Sequence, residues 1–323
     1  MTPDQAAAEM LSHLGRKESH HIIQLPGGRN NTVWRVICGN DSFLLKNYFW
    51  SESDSRDRLG QEWAFLEFLE SIGSRKSPAP LAKIPAARFA LLEFIAGAPP
   101  VTIDEDDIED AAIFFTTINA HRHLETNLPP VSEAAFSIDA HLAATARRVE
   151  MLNQIQPSTP DHNAAIAFVE STLQPLWEII RHRIARLPTA TRSAFLPDSR
   201  RCLSPSDFGF HNALRQPDGT LRYLDFEYAG WDDPAKTLID FINQPDRILP
   251  DPLATHFLEK TIPLFPDSTE LRDRIQVLTP LYQLKWACIC LNTFLPGRPS
   301  DPARPLETQL IRARTMATRA AQA

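Results

Sequence analysis

The residues best suited to chemistry lie in Ser204-Pro205-Ser206-Asp207-Phe208-Gly209-Phe210-His211-Asn212 and, beyond it, Tyr223-Leu224-Asp225-Phe226-Glu227. Asp207 and Asn212 stand five apart on a loop, and Asp225 follows an apolar strand start thirteen residues later, after a turn. Such spacing can converge three oxygen-bearing side chains on one point. Phosphoryl transfer needs this set: a carboxylate to accept a hydroxyl proton, and hard oxygen ligands for magnesium held through nucleotide phosphates. Singly, each residue reads as a cap or turn residue. In order, and downstream of a glycine loop, a strand lysine and a helix glutamate, they favour phosphoryl transfer.

Those upstream features begin at Gly27-Gly28-Arg29-Asn30-Asn31, immediately before a β-type run. Residues that tolerate left-handed backbone can turn the chain tightly and present N–H groups to an anion, although an ordinary hairpin turn uses the same residues. Lys46 follows ten residues after Val36, in Phe43-Leu44-Leu45-Lys46-Asn47-Tyr48. It either faces solvent or points into a cleft as a phosphate-pairing cation, and strand alternation does not choose between the two. A cleft-facing lysine is expected to matter little to folding. Glu62, on the next helical segment, is either its partner or a solvated carboxylate.

The elements that must position these groups divide unevenly. Two β-type runs, 32–38 and 42–48, flank the turn Gly39-Asn40-Asp41, a helical pattern covers 55–71, and a further strand spans 89–95. Ala96-Gly97-Ala98-Pro99-Pro100 then marks a boundary, giving an N-terminal lobe of residues 1–97 and a C-terminal lobe of 98–323, with a ligand cleft expected between them. Helical spacing dominates the second lobe, at 105–123, 134–155, 161–186, 234–243, 251–262, 268–295 and 303–321. Two short strands are expected around Gln216-Pro217-Asp218-Gly219.

Substrate clues conflict. Asp104, Glu105, Asp106, Asp107, Glu109 and Asp110 crowd the start of a helix, where its dipole favours negative charge; a pocket for a cationic substrate is the other reading. Lys285 and Asn292 are seven apart on a helix apolar on several sides. A buried lysine there needs an internal salt bridge or a substrate, anionic or hydroxyl-rich. Tyr282 and Trp286 read as core.

Composition narrows the classes. Of 323 residues, 43% are hydrophobic and 23% charged, as in soluble globular proteins, and the length suits two domains or lobes. A formal net charge of −7 argues against a chain built to hold nucleic-acid phosphates. The four cysteines, Cys38, Cys202, Cys288 and Cys290, have neither disulfide-framework nor zinc-ligand spacing. Asp4 and Glu9 interrupt the N-terminal segment, and the apolar run 286–297 is too short to span a bilayer, so a cytoplasmic protein without membrane partners is expected.

With these residues in view, the sequence resembles the aminoglycoside phosphotransferase and choline kinase family, the small-molecule branch of the protein-kinase-like fold. The likeness runs through Gly27-Gly28 and Asn31, Lys46, Glu62, Leu92-Glu93-Phe94-Ile95-Ala96-Gly97, Asp207 with Asn212, Asp225-Phe226-Glu227 and Trp231-Asp232-Asp233-Pro234-Ala235, from about 20 to 295. It implies an α+β, two-lobed fold with a small β-rich N-lobe and a larger, mainly helical C-lobe. It also implies Asp207 as catalytic base, Asn212 and Asp225 as Mg²⁺ ligands, and Lys46, oriented by Glu62, on the phosphates of ATP. Backbone groups of Glu93 and Ile95 would meet the adenine. Two positions depart from the family pattern: Pro205-Ser206-Asp207 replaces His-Gly-Asp, and Thr237 replaces the last acid of Asp-Pro-Ala-x-Asp, with Asp240 one turn on. His211 is either a substitute for the missing imidazole or a structural histidine. The expectation is a kinase acting on a hydroxyl of a sugar, amino sugar or amino alcohol. The alternative is a nucleotide-binding pseudokinase or interaction module without turnover. Asp225 and Asp233 are too close together for the long activation loop of a protein-directed kinase.

Overall fold

A helix, α1 (Pro3–His13), opens the computed structural model, which describes residues 1–26, 31–52, 54, 56–124, 127–298 and 304–323. The sequence reading placed no element this early, yet Thr2-Pro3-Asp4-Gln5 carries a helix-start signature. Thr2 and Gln5 form a reciprocal capping box, and Pro3 occupies the first turn, where its missing N–H costs nothing. Ala6, Ala7, Met10 and Leu11 make the buried stripe of α1.

That stripe packs on a five-stranded antiparallel sheet. Its strands are β1 (His20–Gln24), β2 (Thr32–Cys38), β3 (Asp41–Asn47), β4 (Pro80–Ile84) and β5 (Phe89–Glu93), in the order β1-β2-β3-β5-β4. A two-residue turn, Gly39-Asn40, joins β2 to β3 in the expected place, with Gly39 at φ 59°, a conformation that suits a hairpin's first turn position and that glycine adopts without strain. β4 was not expected, because a run that starts on proline and is followed by Pro85 does not look like a strand; at the sheet edge that proline is tolerated. Between β3 and β4 runs α2 (Arg58–Ser71), capped by Asp57.

The remaining elements are mainly helical: α3 (Glu105–Ala120), α4 (Ile138–Met151), α5 (Pro160–Phe168), a π-helical turn (Val169–Leu173), α6 (Gln174–Ala185) and α7 (Thr189–Ser193). Short strands β6 (Cys202–Ser204), β7 (Ala213–Arg215), β8 (Leu221–Tyr223) and β9 (Gly230–Asp232) follow, then α8 (Pro234–Ile242), α9 (Asp251–Thr261), α10 (Ser268–Leu291) and α11 (Leu306–Gln322). No helix among the described residues is long and apolar enough to cross a membrane. The fold is therefore α+β, with a small antiparallel sheet early in the chain and a mainly helical remainder, as the resemblance implied.

By internal packing the chain forms two compact units. The first comprises Met1–Ser132 with Leu203–Trp231, the second Glu133–Cys202 with Asp232–Ala323. In the first, Gly97 lies so close to the β7–β8 hairpin that a Cβ there would stand 2.7 Å from the Arg215 carbonyl oxygen. Two backbone hydrogen bonds between Ala98 and Arg215 fix this approach. Acids at the start of α3 serve the same unit: Asp104 caps the helix, Asp107 pairs with Arg215 at 2.7 Å, and Asp110 meets Lys76 and the Tyr223 hydroxyl.

The second unit turns on Asp233, buried at the start of α8. It caps Ala235 N–H at 2.8 Å and accepts from Arg274 Nε at 2.6 Å and His141 Nε2 at 2.9 Å. The other ring nitrogen of His141 meets the Tyr282 hydroxyl at 2.6 Å, so one carboxylate ties α4, α8 and α10 together.

Asn119, at the end of α3 and fully buried, fastens the strand that leads into the Asp207 loop. Its Nδ2 donates to Leu203 O at 3.1 Å and its Oδ1 accepts from Leu203 N at 2.9 Å. Asn119→Ala leaves both backbone groups without a partner, each worth roughly 1–3 kcal/mol when buried. A fall of at least about 2 kcal/mol in urea unfolding is expected.

Candidate active site

Period-two geometry decides where Lys46 points. Phe43 and Leu45 belong to the core built on α1, so Lys46, the next residue, faces the other side of the sheet. There its Nζ lies 2.7 Å from Glu62 Oε2 on α2 and 2.6 Å from Asp225 Oδ1. The Lys46–Glu62 pair is buried, Lys46 being 5% exposed and Glu62 1%, whereas Asp225 reaches it from a partly exposed position. Burial alone would lower the lysine's pKa, but Asp225, Glu62 and Glu227 outweigh it and hold the ammonium above its ordinary value. The second oxygen of Glu62 accepts from Phe226 N–H at 3.1 Å, so the glutamate holds the lysine and the Asp225-Phe226 backbone at once.

The Asp207 loop is held in strained backbone. Ser206 and Asp207 have φ of 50° and 44°, and Asp225 has 66°; Arg88 is the one other non-glycine residue described with positive φ. Such conformations cost free energy and persist where the surroundings impose them. Phe208 packs against Phe114 and Tyr223, with ring centroids 5.7 and 5.2 Å apart, and Phe210 is 2% exposed. Asn212 Nδ2 donates back to the Asp207 carbonyl at 3.0 Å and faces Oδ2 at 3.3 Å. The Asn212 carbonyl accepts from Leu224 N–H at 2.8 Å, extending the β7–β8 ladder and setting Asn212 beside the residue that precedes Asp225.

Asn31 does different work from the one its sequence position suggests. Its Nδ2 donates to Glu227 and its Oδ1 accepts from Phe49 N–H at 3.0 Å, so both ends of the side chain are engaged. Arg58 joins the same cluster, donating to the Phe49 carbonyl at 3.0 Å with its Nε 3.7 Å from Glu227. Burial, then the Asp225 charge, push the Glu227 carboxyl up. Sequence reasoning quoted Glu227 without a role and passed over Arg58, whose only local signal is its place at the start of a helix. Gly27 and Gly28 lie outside the described residues. The Glu93 side chain is bound by Arg222 at 2.7 Å and Ala79 N–H at 3.1 Å, and Ile95 is buried.

The first unit thus gathers Asn31, Lys46, Glu62, Asp207, Asn212 and Asp225. Lys285 and Asn292 belong to the second. Lys285 Nζ is 2.7 Å from Glu133 and 4.9 Å from the Tyr282 ring centre, while Asn292 begins the 3₁₀ turn after α10. Burial pushes the Glu133 carboxyl up, but Lys285 and Arg148 override it and bring it down to about 2.

Comparison with known proteins places this arrangement. The phosphotransferase enzyme family (APH) profile matches residues 21–263, and the chain belongs to that family. No curated protein matches the sequence. Among solved structures, choline kinase LicA from Streptococcus pneumoniae is 16% identical, with a TM-score of 0.59 and 96% of this chain and 97% of that one covered. Spectinomycin phosphotransferase APH(9)-Ia, solved with ADP and spectinomycin, is 12% identical, with a TM-score of 0.61 and 98% of each chain covered. A choline/ethanolamine kinase family protein from Mesorhizobium loti is 18% identical, with a TM-score of 0.58 and 98% and 95% covered. At these identities the likeness is one of fold.

Two outcomes follow from the ion pairs. Lys46→Met strands Glu62 as a buried charge, and breaking a buried pair from one side costs roughly 3–5 kcal/mol. The apo protein is therefore expected to lose stability, contrary to the sequence expectation for a cleft lysine, and Glu62→Gln in the same chain should restore part of the loss in urea unfolding. Glu133, depressed from 4.5, stabilises the fold above its unfolded pKa and loses that contribution as pH falls toward 2. Stabilities of wild type and Glu133→Gln should differ most at neutral pH and converge below pH 4.5.

Proposed function

We propose that this phosphotransferase moves the γ-phosphoryl group of ATP, with Mg²⁺, to a hydroxyl of a small metabolite such as a sugar, an amino sugar or an amino alcohol. One observation carries the reading: the buried Lys46 is paired with the buried Glu62 and with the half-exposed Asp225, and the Asp207–Asn212 loop is laddered to the strand that delivers Asp225.

In this reading Lys46 neutralises phosphate oxygens, Glu62 holds Lys46 in place, and backbone groups of Glu93 and Ile95 meet the adenine. Gly27, Gly28 and Asn31 shape the phosphate-binding turn, Asn31 by anchoring it to Glu227. Asp207 accepts the acceptor hydroxyl's proton. Residues 1–97 act as the nucleotide-binding lobe and 98–323 as the catalytic and substrate-binding lobe. Lys285 and Asn292 are assigned to acceptor binding, Lys285 as half of an ion pair with Glu133 rather than as a lone cation.

The donor chemistry fits magnesium. No group of three His, Cys, Asp or Glu side chains suited to a metal occurs among the described residues. Asn212 turns its Nδ2 toward Asp207, which leaves Oδ1 as its ligating atom, and Asp225 keeps a carboxylate that is 40% exposed. One carboxylate and one amide oxygen are what Mg²⁺ takes when nucleotide phosphates and water complete its shell. Bound there, it would offset phosphate charge during transfer.

A nucleotide-binding module without turnover would need Lys46, Asn212 and Asp225 but no base. Asp207→Asn separates the two readings. It should slow transfer by roughly 10²- to 10⁴-fold while ATP affinity persists. Acceptors are found by thermal-shift screening of sugars, amino sugars and amino alcohols with a non-hydrolysable ATP analogue, and transfer from ATP is then measured. Equal rates for wild type and Asp207→Asn with a bound acceptor would sink the kinase reading. In calorimetry, Mg²⁺ should strengthen ATP binding to wild type and not to Asp225→Ala; equal affinity with and without Mg²⁺ removes the metal assignment.

A further inference from the structure

His211 stands against the candidate base itself. Its Nε2 lies 3.1 Å from Asp207 Oδ1, while Asn212 Nδ2 faces the other carboxylate oxygen at 3.3 Å. The contact spans Phe208-Gly209-Phe210, and the two phenylalanines explain it: with both buried, the polar side chains of Asp207, His211 and Asn212 meet on one side of the loop. The His211 side chain is 16% exposed, and its Nδ1 is buried without a hydrogen-bond partner among the described residues.

That asymmetry assigns the ring's proton. A carboxylate oxygen accepts, so Nε2 is the donor; a proton on Nδ1 would be a buried donor with nothing to bind, which costs more than a bare lone pair. On the other side of Asp207, Pro205 has no N–H and the Ser206 N–H is directed to Ser204 Oγ at 3.1 Å. Ser206 and Asp207 are both in left-handed backbone, and His211 and Asn212 each bring a side-chain donor to the Asp207 carboxylate.

We propose that His211 is a positioning residue for Asp207, its Nε2–H fixing Oδ1 so that the carboxylate presents a defined lone pair to the acceptor hydroxyl; this rests on the reading of Asp207 as the base. In the transfer step the hydroxyl proton passes to Asp207 as the acceptor oxygen bonds to the γ-phosphorus. The bridging bond to the β-phosphate breaks and ADP leaves. His211 keeps its proton throughout.

The test has a kinetic arm and a spectroscopic arm. With MgATP as donor and water as the acceptor, His211→Ala should lower kcat by about 10- to 100-fold, the scale for loss of an orienting partner, with KM for ATP unchanged. His211→Gln, which can set an amide N–H near the Nε2 position, should recover most of the rate. In ¹H–¹⁵N spectra of the histidine side chains, His211 should show the Nε2–H tautomer and should shift in Asp207→Ala. Wild-type turnover in His211→Ala beside an inactive Asp207→Asn overturns the proposal and leaves the base assignment standing. So does a loss shared by KM and not recovered by glutamine, or a ring indifferent to Asp207→Ala. Equal turnover by Asp207→Asn and wild type overturns the base assignment, and the proposal with it.

Discussion

The first unit depends on the requirement that Lys46, once buried, keep its charge paired. An ammonium without water needs carboxylates at hydrogen-bond distance. The sequence supplies them from α2 and from the segment after the β7–β8 hairpin, which also meet through Phe65 and Phe226, ring centroids 5.0 Å apart, and through Gln61 Nε2 donating to the Ala229 carbonyl at 2.6 Å. Glu62 extends the constraint by accepting from Phe226 N–H. The same pairing shapes the local charge. Around Lys46, Arg56 and Arg58 stand Asp54, Glu62, Asp225 and Glu227, four carboxylates against three cations. A triphosphate entering that neighbourhood meets excess negative charge, which is a physical reason for a divalent cation to accompany it in the proposed reaction.

Backbone strain is concentrated at the proposed site. Three of the four described non-glycine residues with positive φ are Ser206, Asp207 and Asp225. None is required by a tight turn that glycine could not have made. The scaffold offsets the cost: Asn119 clamps Leu203, and Phe208 and Phe210 anchor the loop in the core. If the proposed reaction runs here, folding propensity and function pull apart at Asp207 and Asp225, as expected at a site that must hold a reactive geometry.

What could be read from sequence follows the range of each interaction. Asp207, Asn212 and Asp225 sit around one local hairpin, so their spacing alone pointed to convergence. The long helices and the Gly39-Asn40 turn were visible in periodicity and turn chemistry. The direction of Lys46 was not, because Leu44 on its own face is as apolar as Phe43 and Leu45 on the other, and only the packing of α1 shows which face meets that core. The Asn31–Glu227 contact joins residues 196 apart, and no local pattern encodes it. Capping at α1 was legible in Thr2-Pro3-Asp4-Gln5 and passed over. Lys285 had two readings open, and Glu133 supplies the salt-bridge partner that only tertiary packing could name.

Thr237, which stands where the family pattern has an acid, has an electrostatic explanation within the second unit. Its hydroxyl is 3.4 Å from Asp232 Oδ2, and Asp232 is fully buried. Burial pushes the Asp232 carboxyl up to about 6, even with Lys236 beside it to lower it. A second carboxylate at 237 would place like charges together where water cannot screen them, and only Lys236 would be there to offset both. One turn further along α8, Asp240 is 25% exposed, lies 3.5 Å from the same lysine and accepts from Trp286 Nε1 at 2.9 Å. Moving the acid from 237 to 240 therefore keeps a carboxylate on α8 and within reach of Lys236, while taking it out of the site already occupied by Asp232.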